Sequence, residues 1–475
     1  MNLEELFGGR SVTLLGAGVS NMPLAEVAAR YASRLTVRDK KSPAELGENA
    51  VRLEALGAAL ITGEGYLRGI DEDLVFRSPG IRPDLPELNE ARARGSVVTS
   101  EMECFLAAHP CPVYAITGSD GKTTTTTLTS KLLMPTGKVF LGGNIGEPLL
   151  YRLPLVTPDD AVAVELSSFQ LMTVDAPIDV AAITNITPNH LNWHTSMEEY
   201  IEAKAKILAH AGRAVLNYDN DVTRSLGMGL SDSVPVTWFS LAPIPDGALR
   251  PGDSRVWLDA DGETIRSEFP GEGREAIMTR ADIRLPGMHN TANYMTAIAV
   301  THGCTTVERI REAARTFGGV EHRLEFVREL GGVTYFNGSI DSSPTRTAAA
   351  LSALADRSVP SPVVLIAGGY DKHIPYEPLA DAVLDPKSQV RAVVLTGDTA
   401  PKIRDVLLAH AAYPKAKAEG FLLAEEADFD EAVREASRIA RTGDTVLLSP
   451  ASASFDHFKN FEERGRHYKD LVRNL

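Results

Sequence analysis

Between positions 115 and 123 the chain reads Ala115-Ile116-Thr117-Gly118-Ser119-Asp120-Gly121-Lys122-Thr123, a glycine-rich turn that carries both a lysine and hydroxyl groups. That combination receives a nucleoside triphosphate. Backbone amides around Gly121, with a helix start behind them, would converge on a polyphosphate. Lys122 falls beside the outer phosphates, and the Thr123 hydroxyl where it can ligate Mg²⁺, with Thr124 leading into the helix. The usual spacing would put the first glycine at position 116; Ile116 stands there and the glycine comes at Gly118, so the loop is shorter. Two further groups suit the same chemistry. Glu165 closes the apolar run Ala161-Val162-Ala163-Val164, and His190 follows Thr184-Asn185-Ile186-Thr187-Pro188-Asn189. If their strands are neighbours, a carboxylate and a neutral imidazole beside a triphosphate make a Mg²⁺ site. Taken singly, Glu165 also reads as a solvated strand-end acid and His190 as a turn residue capping a helix.

The elements that must position these groups alternate strand and helix nearly throughout, which predicts an α/β chain of three successive domains, each with a largely parallel sheet flanked by helices. The first is expected to be Rossmann-like, the second P-loop ATPase-like and the third Rossmann-like, over residues 1–108, 109–320 and 321–475. Ser11 to Leu15 reads as a strand that enters a helix through Gly16-Ala17-Gly18-Val19-Ser20-Asn21 and re-emerges at Leu35 to Asp39. The sixth fingerprint position is Asn21 rather than Gly or Ala, so packing of helix on strand is expected to depart from the usual. Asp39 lies where an acid meets a ribose or a base. The turn Ser78-Pro79-Gly80-Ile81-Arg82-Pro83 follows the strand Leu74-Val75-Phe76, at the end of a sheet where ligands bind, and its chemistry reads equally as a plain loop. Residues 231–284, rich in Pro, Gly and Asp, predict a small antiparallel insertion.

Composition excludes several classes. A chain of 475 residues with 44% hydrophobic content has ample core material. Its net charge of -15 opposes a protein that grips nucleic acid or an anionic membrane over a broad face. The three cysteines, Cys104, Cys111 and Cys304, have neither disulfide-framework nor zinc spacing. No basic and apolar leader opens the sequence and no apolar run reaches membrane-spanning length, so a cytoplasmic protein, monomeric and without membrane insertion, is expected.

An ordered series of segments resembles the Mur ligases, the ATP-dependent amide-forming enzymes of peptidoglycan precursor synthesis. It comprises Thr117 to Thr123, Gly143-Asn144-Ile145-Gly146, Glu165-Leu166-Ser167-Ser168-Phe169-Gln170, His190-Leu191-Asn192, Gly287-Met288-His289-Asn290-Thr291-Ala292-Asn293 and His322-Arg323. Glu165 to Leu171 and Leu448 to Gly465 resemble the branch that joins D-glutamate to UDP-N-acetylmuramoyl-L-alanine. The resemblance implies phosphorylation of the UDP-linked carboxylate by ATP and capture by the amine. It implies two Mg²⁺ ions, one on Thr123 and one on Glu165 and His190, and a carbamate on Lys204 that supports a metal; without the resemblance Lys204 reads as a solvated helix residue. Gly118, Ser119, Asp120, Gly121 and Lys122 would cradle the phosphates, Asn290 and Asn293 meet the adenine, and Arg323 the nucleotide phosphates. Asn144 would contact substrate or phosphates. Gly18, Val19 and Ser20 would hold the UDP diphosphate, with Asp39, Lys40 and Gly80 at the uracil. Ser342, Lys372, Ser454, Phe455 and Phe461 would surround D-glutamate.

Three positions depart from the family pattern. Asp120 stands where Asn is usual, Asn192 where an acid is common, and Gly338 where an Asp touches ATP, with Asp341 as a substitute. Another Mur or folylpolyglutamate-type amide ligase and a non-catalytic, nucleotide-gated scaffold remain as alternatives. A nicotinamide-dependent dehydrogenase built on Gly16 to Asn21 leaves Gly121-Lys122-Thr123 unexplained.

Overall fold

Short apolar runs bounded by glycine turns become strands buried on both faces, the pattern that parallel sheets covered by helices require. The computed structural model describes residues 2–18, 20–191, 193–355 and 361–475, so Val19 and Asn192 lie outside the described residues. The first sheet has the order β3-β2-β1-β4-β5, from β1 (Ser11–Leu15), β2 (Arg34–Asp39), β3 (Ala59–Thr62), β4 (Leu74–Arg77) and β5 (Val97–Thr99). Every neighbouring pair is parallel. Asn21 explains how the fold tolerates its departure from the fingerprint. Its buried Nδ2 donates to the carbonyls of Leu15 and Gly16 at 3.0 and 2.9 Å and to Ser78 Oγ at 3.2 Å, so an amide rather than close backbone packing secures the turn.

The second sheet contains β6 (Val113–Thr117), β7 (Val139–Gly143), β8 (Ala161–Glu165), β9 (Ile178–Ile183), β10 (Ala211–Asn217), β11 (Val236–Ser240), β12 (Ser254–Leu258), β13 (Thr264–Glu268) and β14 (Glu275–Thr279). Their order is β14-β13-β12-β11-β10-β9-β6-β8-β7. The antiparallel insertion expected over residues 231–284 is found only in part: β12 and β13 run antiparallel, whereas β11 pairs parallel with β10 and β12 parallel with β11. The reason is burial. All five residues of β11 and of β12 are covered, Trp238 completely, so these strands extend the main sheet instead of standing apart from it.

The third sheet has the order β15-β16-β20-β17-β18-β19, from β15 (Glu325–Leu330), β16 (Val333–Asn337), β17 (Val363–Gly368), β18 (Val390–Thr396), β19 (Leu422–Glu425) and β20 (Thr445–Leu448). Only the edge pair β15 and β16 is antiparallel among its described pairings. The chain therefore has the expected three α/β layers. They group into two compact units, Met1–Ile277 with Asn293–Ile310, and Met278–Ala292 with Arg311–Leu475. No helix among the described residues is long and apolar enough to cross a membrane.

Within the first unit, the first and second sheets are tied by buried charge. Arg77, at the end of β4, donates to the Phe169 carbonyl at 3.2 Å and to Thr173 Oγ1 at 2.7 Å. Glu101 opens the helix Glu101–Ala108, and its Oε1 accepts the amides of Leu149 and Leu150, each at 2.6 Å. Burial pushes the Glu101 carboxyl up to about 7 from 4.5, against those two amide bonds. Because the folded-state value is raised, its contribution is full at pH below 4.5 and is lost as pH rises through about 7. A Glu101→Gln variant keeps an amide-accepting oxygen without the titration. Its urea midpoint relative to the parent should rise between about pH 4.5 and about pH 8; a pH-independent difference would contradict the assignment.

Candidate functional site

Parallel pairing sets the C-terminal ends of β7, β8, β6 and β9 side by side. Gly143 pairs with Glu165, Ile116 with Glu165, and Thr117 with Ile183. Ligands of open α/β sheets bind at this edge. The turn after β6 runs through Gly118 and Gly121 into the helix Lys122–Leu132, with Gly121 in the left-handed region at φ 79°. Gly118 has φ 149°, and a Cβ there would meet Thr184 Oγ1 at 1.8 Å. Position 118 is therefore open only to glycine.

The loop is held from below by the segment after β9. Ser119 N donates to the Asn185 carbonyl at 2.9 Å, Asp120 N donates to Asn185 Oδ1 at 2.9 Å, and Thr184 Oγ1 donates to the Asp120 carbonyl at 2.5 Å. Ser119 Oγ lies 2.9 Å from Tyr200 OH and takes the Thr187 amide at 2.9 Å. Lys122 Nζ donates to the carbonyls of Gly118 and Ser119, both at 2.9 Å. Thr123 is partly exposed on the first helical turn, while Thr124 is buried and Asp120 exposed. Behind the loop, Asn293 packs against Gly121, where a Cβ would meet Asn293 Oδ1 at 2.3 Å, and Thr125 Oγ1 donates to the same oxygen at 3.3 Å.

Lys204 comes from the helix Met197–Ala205 and reaches under the loop, 1% exposed, donating to the Gly118 carbonyl at 2.7 Å and to Thr117 Oγ1 at 3.3 Å. Burial first and the Lys122 charge second push its ammonium down to about 7, opposed by Glu165 and Asp120. The acid at position 120 thus supplies field to a buried cation beneath the loop. Glu165 is also 1% exposed. Its Oε1 accepts Asn144 Nδ2 at 2.8 Å, while its buried Oε2 finds no hydrogen-bond partner among the described residues. Gly143 makes the Asn144 contact possible, because a Cβ at 143 would lie 2.2 Å from the Glu165 carbonyl oxygen. His190 is exposed at φ 55° and packs edge-on to Phe169 at 5.1 Å. Burial of its ring, then Lys122 and Lys204, hold its imidazole below the ordinary range, so it is a neutral nitrogen donor.

The donor set fits a Mg²⁺ ion. A buried carboxylate oxygen without a partner is costly unless a cation or donor meets it. Among the described residues no group of three or more His, Cys, Asp or Glu side chains converges to hold an ion. A cation here would take the free Glu165 oxygen, leaving room in its shell for further donors at this strand edge and for phosphate and water oxygens, as Mg²⁺ prefers.

Residues 116–301 match the Mur ligase middle domain and residues 322–452 the Mur ligase glutamate ligase domain. A UDP-N-acetylmuramoylalanine--D-glutamate ligase of Acetivibrio thermocellus is 42% identical over 481 residues, covering 100% of this chain and 98% of the relative. The enzyme of that name from Clostridium novyi is 43% identical, covering 99% of this chain and 98% of its own. The chain belongs to the Mur ligase family. Two solved structures share its fold: the UDP-N-acetylmuramate-alanine ligase of Thermotoga maritima, with TM-score 0.54 at 18% identity over 98% of this chain and 99% of its own, and a UDP-N-acetylmuramoyl-L-alanyl-D-glutamate--2,6-diaminopimelate ligase, with TM-score 0.57 at 16% identity over 100% and 95%.

Other residues singled out in this Mur ligase occupy separate places. In the first sheet Gly18, Lys40 and Gly80 are exposed and Ser20 partly so, and both Asp39 oxygens are engaged, accepting the amides of Ala17 at 2.7 Å and Lys41 at 2.8 Å. In the second unit Asn290 is buried, its Nδ2 donating to the Pro286 carbonyl at 2.6 Å, and Arg323 is exposed between His322 and Leu324, both at positive φ. Lys372 and Phe455 are exposed, Ser342 and Phe461 partly buried, and Ser454 buried. Gly338 has a structural counterpart: a Cβ there would lie 2.7 Å from Asp341 Oδ2, so the Asp341 carboxyl fills the space a side chain at 338 would need. Burial pushes Asp341 up to about 6, and Ser449 Oγ donates to it at 2.9 Å.

Sequence reasoning missed Thr184, Asn185 and Tyr200 as supports of the loop and Thr117 as a partner of Lys204; Thr184-Asn185 appeared only as the run preceding His190. Gly118→Ala tests that support: the clash with Thr184 and the backbone strain should destabilise the protein by about 2 kcal/mol in urea unfolding. An unchanged midpoint would contradict the tight approach.

Proposed function

We propose that this Mur ligase joins D-glutamate to UDP-N-acetylmuramoyl-L-alanine with ATP in peptidoglycan precursor synthesis. The ligase chemistry rests above all on the unpartnered, buried Glu165 oxygen at the strand edge that also carries the phosphate loop. The choice of substrates rests on the names of relatives that match over nearly the whole chain. The UDP-linked carboxylate oxygen attacks the γ-phosphorus and ADP leaves; the D-glutamate amine, its ammonium proton already lost, attacks the acyl carbon, and as the C–O bond breaks the nitrogen gives up a second proton to the departing phosphate. Loop amides from Gly118 to Thr124 with Lys122 stabilise charge on the transferring phosphoryl group. Thr123 would hold one Mg²⁺, and Glu165, His190 and a carbamylated Lys204 a second, supplying charge neutralisation between phosphate and carboxylate oxygens. The carbamate is supported by the depth of Lys204 and by the lowered proton affinity that leaves its amine available to CO₂.

On this reading residues 1–108 bind the UDP moiety through Gly18, Val19, Ser20, Asp39, Lys40 and Gly80. Residues 109–320 bind ATP, with Asn290 and Asn293 at the adenine and Asn144 at substrate or phosphates, joined by Arg323 at the nucleotide phosphates. Residues 321–475 bind the amino acid through Ser342, Lys372, Ser454, Phe455 and Phe461. The protein would act as a cytoplasmic monomer.

Phosphate release from ATP is the test. It should require both UDP-N-acetylmuramoyl-L-alanine and D-glutamate, with L-glutamate, L-lysine and D-aspartate inert. Lys122→Ala should lower turnover about 10³-fold with calorimetric affinity for the UDP substrate within about threefold, and Lys204→Ala should lose activity that added bicarbonate does not restore. Release that ignores D-glutamate, or answers equally to another acceptor, would overturn the reading.

A further inference from the structure

The turn at Ser78 to Pro83 touches the His190 segment at two points. Trp193 Nε1 donates to the Gly80 carbonyl at 3.1 Å. Arg82 lies 5.0 Å over the Trp193 ring, and its Nη1 donates to the Trp193 carbonyl at 2.9 Å and to Glu199 Oε1 at 3.0 Å. Its other edge grips Asp84 through two bonds, at 2.9 and 2.7 Å, which fixes the fork geometry. From Trp193 the contact continues inward: its ring is 4.3 Å from Phe169, and Phe169 is 5.1 Å from His190. A parallel polar path runs from Glu199 to His194 Nδ1 at 3.3 Å and from His194 Nε2 to Ser168 Oγ at 2.9 Å. Ser168 and Phe169 open the short helix Ser168–Leu171 that follows Glu165.

We propose that Arg82 and Trp193 are positioning residues that couple occupancy of the Gly80 turn to the placement of His190 and of the helix Ser168–Leu171 after Glu165. The proposal rests on the reading that the Gly80 turn borders the UDP-linked substrate. A ligand that shifts the Gly80 carbonyl must move the indole with it or break the Nε1 bond, and either event changes the packing of Phe169 against His190. Neither Arg82 nor Trp193 needs to touch the reacting atoms; partners one shell out from a metal ligand fix its orientation. Waiting for the UDP substrate before setting the metal donors would limit idle ATP hydrolysis.

The three tryptophans make this measurable. Trp238 and Trp257 are 0% and 5% exposed in the second sheet, so a ligand-dependent emission change isolates Trp193. Titration with UDP-N-acetylmuramoyl-L-alanine in the absence of ATP should give a saturable fluorescence change. That change should vanish in Trp193→Phe, which should bind the same ligand calorimetrically within about threefold. Arg82→Met should lower kcat about tenfold and raise the Mg²⁺ requirement, with KM for the UDP substrate nearly unchanged, and Arg82→Lys should recover part of the loss. Calorimetric binding without a Trp193-dependent signal, or an Arg82→Met variant with parental kcat and Mg²⁺ requirement, overturns the coupling and leaves the functional reading standing. Absence of calorimetric binding in the parent protein overturns the functional reading, and the coupling falls with it.

Discussion

Everything at the candidate site depends on how closely the phosphate loop approaches the strand end beside it. Gly118 passes so near Thr184 that no side chain fits, and that proximity lets Thr184 and Asn185 bind the loop's amides and carbonyls from below. A loop fixed in this way presents its remaining amides in one direction without further ordering, so an anion meets a preorganised surface. Lys204 reaches the Gly118 carbonyl beneath the same loop.

The cost of that arrangement is a set of charges held away from water. Lys204 is covered to the point where burial, helped by Lys122, brings its proton affinity down to about 7. Glu165 keeps one oxygen satisfied by Asn144 and leaves the other without a hydrogen-bond donor among the described residues. Charges in such surroundings persist where a ligand completes them, and on the proposed reading a triphosphate with its cations is the complement these residues share. In the Mur ligase fold the parallel order of β7, β8, β6 and β9 brings Asn144, Glu165, the loop and His190 to a single sheet edge, although they are scattered over the sequence.

Much of this was legible in the sequence because local patterns carry it. The apolar runs at Ser11 to Leu15 and Ala161 to Glu165 read as strands, and the helix expected from Thr124 begins two residues earlier, at Lys122. The ordered motifs gave the family, and the comparisons bear that out. What stayed hidden is contact between distant positions. Ser119 meets Asn185 and Tyr200 at separations of 66 and 81 residues, and no periodicity announces such pairs. The parallel course of β11 and β12 was hidden for a related reason: Pro, Gly and Asp between strands advertise turns, whereas the direction in which a strand joins the sheet is a pairing between distant positions. Gly338 looked like a loss from the sequence, and the structure shows its space filled by Asp341, three residues along.

A crystal of the protein grown with Mn²⁺ and a non-hydrolysable ATP analogue tests the central claim directly through the anomalous signal of the metal. The account predicts an ion ligated by Glu165 Oε2 and phosphate oxygens, with the triphosphate against the amides from Gly118 to Thr124. A bound nucleotide whose metal leaves Glu165 untouched, or one seated away from that loop, would contradict it.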